Sequence, residues 1–113
     1  MTLLCTAQEG LPLYMQSEEG TVALRVPDHP QLLALLQKFD GLFSTSANSA
    51  GAPVPQLIEE VENEIMQMVD GVVLDKNEKK ENVPSTILDC TGDRIKVVRQ
   101  GAFSAEMIEK LIR

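Results

Sequence analysis

Residues 44–51 read Ser-Thr-Ser-Ala-Asn-Ser-Ala-Gly, a run of small and hydrogen-bonding side chains only. Between a strand and a helix, such a run can hold phosphate. Small residues let backbone N–H groups approach the anion, and hydroxyls add donors. The same composition also suits a solvent-exposed turn. It is not a P-loop, because G-x-x-x-x-G-K-[ST] is missing. Arg25 is a second candidate. It ends an alternating stretch, where an arginine is either an exposed edge charge or a guanidinium that grips a carboxylate or phosphate with two hydrogen bonds. Arg99, just before Gln100-Gly101, is open to the same two readings. Ser85 and Thr86 follow Pro84 at the start of another strand-like stretch. Their hydroxyls either cap the chain or touch a ligand.

Other chemistries are excluded. His29 is the one histidine, at a helix start, and no G-x-S-x-G elbow accompanies it, so a catalytic triad has no basis. Cys5 and Cys90 are far apart and form no C-x-x-C pair, and no H-E-x-x-H is present. Both thiols lie in apolar runs and read as buried and free, which fits a reducing cytoplasm. The net charge is −7. Electrostatic nucleic-acid binding needs the opposite balance. The surplus reads as a solvated acidic surface, and a small anionic ligand remains compatible if a few arginines converge. No apolar run approaches the ~20 residues of a membrane span, and no secretory signal is recognisable. With 43% hydrophobic residues the chain is too apolar for disorder and suits one core.

The elements that must position these residues follow from periodicity. Residues 2–7, TLLCTA, read as a buried strand. Residues 8–20 read as an irregular connection. In residues 21–26, apolar Val22, Leu24 and Val26 alternate with Thr21, Ala23 and Arg25, so one strand face is core. Asp28 as cap and Pro30 in the first turn predict a helix over 29–38, stopped by Gly41. Strands are expected at 42–46, 72–74, 85–90 and 95–99, the last two joined by a turn at 91–93. A helix over 55–69 would place Leu57, Ile58, Val61, Ile65 and Met68 inward and its glutamates in solvent. Residues 75–82 read as a charged loop. Ser104 caps a last helix to Arg113 with Met107, Ile108, Leu111 and Ile112 inward. The expected class is α/β (α+β), a twisted mixed sheet with flanking helices in one domain.

The motifs at residues 21–30 (TVALRVPDHP), 44–51 (STSANSAG), 84–89 (PSTILD) and 97–101 (VVRQG) stand in an order that resembles the C-terminal half of the YrdC-like domain, the threonylcarbamoyl-AMP synthases. The resemblance spans nearly the whole chain. It implies a twisted α/β sheet with a concave cleft. It implies condensation of L-threonine, bicarbonate and ATP into threonylcarbamoyl-adenylate, with pyrophosphate released. A transferase partner then carries the group to tRNA. It implies that Arg25, Ser44 and Thr86 bind L-threonine and that Thr21, Ser46, Asn48 and Arg99 bind the nucleotide. Mg²⁺ would bridge phosphates in the complete enzyme.

The family's N-terminal half carries a basic cluster, K-x-R followed by S-x-x-K-x-R, and no such cluster stands here. Residues 1–113 thus resemble the C-terminal portion of one such domain without its N-terminal basic portion. A partial domain is expected to be inactive alone. The alternatives are a non-catalytic nucleotide- or threonine-binding module, or a half that assembles with its complementary N-terminal half or as a homodimer. No membrane contact is expected, and the expected location is the cytoplasm.

Overall fold

The computed structural model describes residues 1–74 and 83–112. The charged loop expected at 75–82 and Arg113 lie outside the described residues. The chain divides into two compact units, Met1–Asp40 with Val83–Arg113, and Gly41–Asn82.

The first unit is built on a four-stranded mixed sheet in the order β2-β1-β3-β4. Strand β1 is Thr2–Thr6, β2 Thr21–Arg25, β3 Ile87–Asp89 and β4 Lys96–Arg99. Strands β1 and β2 pair antiparallel from Thr2↔Arg25 to Thr6↔Thr21. Their connection closes with Ala7 N–H donating to the Gly20 carbonyl (2.8 Å). Gly20 sits at φ 71°, in the left-handed region where a side chain is strained. Strand β3 lies parallel to β1, which requires a long crossover, and the second unit falls within it. Strands β3 and β4 form an antiparallel pair with an irregularity between Ile87 and Leu88. Asp89 starts their turn, its Oδ1 accepting from the N–H (2.9 Å) and hydroxyl (2.6 Å) of Thr91.

The expected alternation in β2 is realised in the ladder. Cross-strand partners share a face, so Leu24, Leu3 and Leu88 line one side while Arg25, Thr2 and Ile87 line the other. Burial is shallow, however. Among the described residues Leu88 and Ile108 (3% exposed each) are the buried apolar ones, and Leu24 and Val26, expected in the core, are exposed.

The helices are shorter than periodicity suggests. Helix α1 is Pro30–Leu36. His29, not Asp28, is its N-cap, with Nδ1 accepting from Leu32 N–H (3.2 Å). Pro30 at the first position needs no N–H. The helix ends before Gly41, with Gln37 as its C-cap. Helix α3 is Ala105–Ile112, and Ser104 caps it through Met107 N–H (3.3 Å). Its Ile108 is buried, but Met107 and Leu111 are exposed.

In the second unit the expected helix over 55–69 is broken. A 3₁₀ turn at Ile58–Glu60 is followed by helix α2, Asn63–Met68, with Val61 and Glu62 extended between them. Two carboxylates compete with helix formation. Glu60 accepts from Gln56 N–H (2.7 Å), and Glu62 reaches back to Ser49. The runs at 42–46 and 72–74 form no strand, and Val73 is 99% exposed. An apolar run becomes a strand only where a ladder satisfies its backbone. Among the described residues no helix is long and apolar enough to cross a membrane.

Candidate functional site

The sheet register brings four positions level at one end of the first unit. Arg25 faces Thr2, Thr2 faces Ile87, and Ile87 faces Arg99. The two arginines thus occupy the two edge strands of one row. Three strand spacings of about 4.8 Å set their backbones about 14 Å apart. This level placement depends on the parallel β1–β3 pairing, because Arg25 and Arg99 come from opposite ends of the chain.

Arg25 is exposed on the outer edge. Arg99 is anchored. Its Nε and Nη2 donate to the Ser85 carbonyl (3.2 and 2.8 Å), and Nη2 also reaches Ser85 Oγ (3.4 Å). Ser85 Oγ is in turn 2.9 Å from Thr2 Oγ1, within the same row. Thr86, beside Ser85, is 0% exposed. Its hydroxyl donates to the Phe103 carbonyl (2.9 Å) and accepts from the N–H groups of Gly101 and Phe103 (3.0 Å each). One donor and two lone pairs are thereby all used. The Thr86 side chain is therefore part of the support, closed to direct ligand contact. Thr21 is at the far end of β2, about 13 Å along the strand from Arg25. Its hydroxyl is 2.8 Å from Ser17 Oγ.

The second unit carries Ser44, Ser46 and Asn48. The two serines are exposed on irregular backbone. Asn48 organises the loop, with Nδ2 donating to the carbonyls of Ser49 (3.1 Å) and Ala52 (2.9 Å). Its Oδ1 is buried with no hydrogen-bond partner. An amide oxygen only accepts, so this atom calls for a donor. Asn48 lines an open hollow of about 400 Å³ with Ala47, Ala52, residues 53–55, Glu60 and Glu62.

Sequence reading missed the role of Glu62, taken as part of a solvated face. Its Oε1 accepts from Ser49 N–H (2.9 Å) and its Oε2 from Ser49 Oγ (2.7 Å). These bonds hold its carboxyl below the ordinary value, backbone contribution first and hydroxyl second. Ser49 thus offers an anion the pair of donors expected of a phosphate loop, and the chain's own carboxylate takes them. No sequence signal marks this pair: Ser49 and Glu62 are 13 residues apart, and periodicity does not detect such a contact.

Cys5 and Cys90 are free and half-buried. Burial raises the Cys90 thiol, with Cys5 and Asp89 adding to the effect. A raised thiol is a poor nucleophile. Among the described residues no three His, Cys, Asp or Glu are grouped to hold a metal ion.

Residues 1–101 match the Sua5/YciO/YrdC family, described as "Telomere recombination". The chain belongs to this family. It is similar to proteins named threonylcarbamoyl-AMP synthase. The one from Bacillus subtilis is 38% identical over 94 residues, covering 81% of this chain and 27% of its own. The one from Pseudomonas entomophila is 39% identical over 101 residues, covering 88% and 52%. The one from Pyrococcus abyssi is 29% identical over 113 residues, covering 99% and 33%. The chain spans about half the length, or less, of the curated relatives it matches. No solved structure matches it.

Proposed function

We propose that this chain is part of a threonylcarbamoyl-AMP synthase domain that acts in tRNA modification and becomes active only when the domain is completed. The supporting observation is the row Arg25–Thr2–Ile87–Arg99, which sets two arginine positions level on one sheet in an acidic chain. In this reading Arg25 takes the L-threonine carboxylate in a bidentate grip, and the family resemblance assigns Ser44 to the same substrate. Thr21, Ser46, Asn48 and Arg99 serve the nucleotide. Thr86, expected to bind threonine, is enclosed by its own hydrogen-bond partners and in this reading serves by fixing backbone. The threonine nitrogen joins the bicarbonate carbon with loss of water. A carbamate oxygen then attacks the α-phosphorus of ATP, and pyrophosphate leaves. The chain's part is placement and charge neutralisation. Mg²⁺ is expected in the complete enzyme, where it would neutralise the charge of the phosphates. A magnesium ion carried by the triphosphate arrives as part of the substrate. A transferase partner would then deliver the threonylcarbamoyl group to tRNA.

The proposed completing partner is the other half of a family-length domain. Exposed Leu24 on β2, Val97 and Val98 on β4, and Met107 and Leu111 on α3 are apolar surface that such a half would cover. Among the described residues β2 and β4 are the edge strands of the sheet, where a further strand would pair. A second reading, a binding module without turnover, draws on Glu62, which already occupies the Ser49 donors.

The test is pyrophosphate release from ATP that depends on L-threonine and bicarbonate. The chain alone is expected to give none, and to gain it when mixed with the N-terminal half of a family synthase. Arg25→Lys in the mixture should raise the KM for threonine by about tenfold, the worth of one lost charge-assisted hydrogen bond. Calorimetric binding of ATP or threonine with no turnover in the mixture would favour the binding module. Neither binding nor turnover would refute both.

A further inference from the structure

We infer that Thr86 is a positioning residue for Arg99, acting through the backbone of residues 101–103 to fix how the guanidinium is presented. Its hydroxyl holds Gly101 and Phe103 by three hydrogen bonds and is fully enclosed. A further bond runs from Ala102 N–H to the Pro84 carbonyl (3.1 Å). Segments 84–86 and 101–103 are thus stitched backbone to backbone. A Cβ on Gly101 would fall well inside van der Waals contact with Pro84 O, Thr86 N and Ser85 C. Only glycine permits so close a crossing.

Arg99 lies two residues before this crossing. Its Nε and Nη2 rest on the carbonyl of Ser85, the residue next to Thr86. The side chain spans from one stitched segment to the other, so their register sets its place. Nη1 makes no hydrogen bond to the described residues. The outer edge of the fork is therefore held ready for an anion by donors already committed on its inner edge. Removing the Thr86 hydroxyl would leave the Gly101 and Phe103 N–H groups without their buried acceptor, and the crossing would loosen under Arg99.

The experiment is NMR on the full chain, with the Arg99 Nε–H signal assigned by its loss in Arg99→Lys. In wild type and in Thr86→Ser, which keeps the hydroxyl, the signal should be resolved and slow to exchange. In the isosteric Thr86→Val it should move to the position of a free arginine and exchange about tenfold faster, as loss of a buried hydrogen-bond acceptor predicts. An unchanged Arg99 Nε–H in folded Thr86→Val would overturn the inference. If Thr86→Val does not fold, wild-type exchange decides. Arg99 Nε–H, Gly101 N–H and Phe103 N–H should open together under added denaturant. Free exchange at Arg99 while the other two stay protected would equally overturn it.

The ligand consequence rests on the nucleotide role proposed above for Arg99. Thr86→Val should weaken ATP about tenfold by the same arithmetic and leave L-threonine unaffected. A selective loss of threonine affinity would instead mean direct contact, and would overturn the inference. If wild type binds neither ligand, the functional reading fails while the exchange data still decide the positioning role.

Discussion

Gly101→Ala is the sharpest probe of how the first unit is held together. The added Cβ meets Pro84 O, Thr86 N and Ser85 C, all backbone atoms of the strand-entry segment. No flexible side-chain end is available to move aside. Small-to-large changes in packed sites cost about 1–3 kcal/mol, and a collision with three backbone atoms belongs at the top of that range. The cost is steric, because Gly101 is not among the glycines with positive φ. A loss of about 3 kcal/mol is a large share of the ~5–15 kcal/mol that holds a small domain. At about 4 °C per kcal/mol it lowers Tm by about 12 °C. Gly92 supplies the control, since its Cβ would meet nothing and its φ is not positive. Gly92→Ala should be neutral or stabilise by about 0.4–1 kcal/mol through the unfolded state. Urea unfolding of the three chains, read as midpoint shifts at constant slope, measures both. Gly101→Ala within about 0.5 kcal/mol of wild type would refute the backbone crossing, since that is the range of an ordinary surface change.

Two further outcomes follow. Glu62 is held below its ordinary value of 4.5 by the Ser49 N–H and hydroxyl. A lowered carboxylate stabilises its contact above the ordinary value and loses it as pH falls through the lowered one. The Ser49 amide shift should therefore be flat at neutral pH and titrate with a midpoint below 4.5, and a midpoint at or above it would contradict the contact. Ser104→Ala removes the acceptor of Met107 N–H and should cost about 1 kcal/mol, with faster amide exchange in the first turn of α3; unchanged exchange there would show that Ser104 is not the cap.

The strands of the first unit were legible because alternation is a local signal. Val22 and Leu24 against Thr21, Ala23 and Arg25 define one strand without any partner. Where the outcome depended on a distant group, the sequence was silent. The helix expected over 55–69 has good apolar spacing, but Glu60 and Glu62 take backbone donors at Gln56 and Ser49. That choice is a competition for hydrogen bonds, which periodicity does not weigh. The runs at 42–46 and 72–74 have strand composition and lack a ladder. At the site, Arg25 and Arg99 stood out by residue type. Their common row could not be read, because it requires the parallel register of β1 and β3. Thr86 was singled out for its hydroxyl, yet its partners Gly101 and Phe103 turn that hydroxyl into structure.

Charge and apolar exposure together bear on the two forms of assembly that the proposed function allows. The chain carries −7, and two level arginines cannot by themselves offset a triphosphate. A second copy of this chain could cover Val97, Val98 and Met107, but it would bring the same acidic surplus to the site. Under the proposed synthase function, a polypeptide basic where it meets the nucleotide and apolar where it meets β4 and α3 would answer both needs. Electrostatics thus favours a complementary half over a homodimer, and increasingly so at low ionic strength, where like-charged copies repel over longer distances.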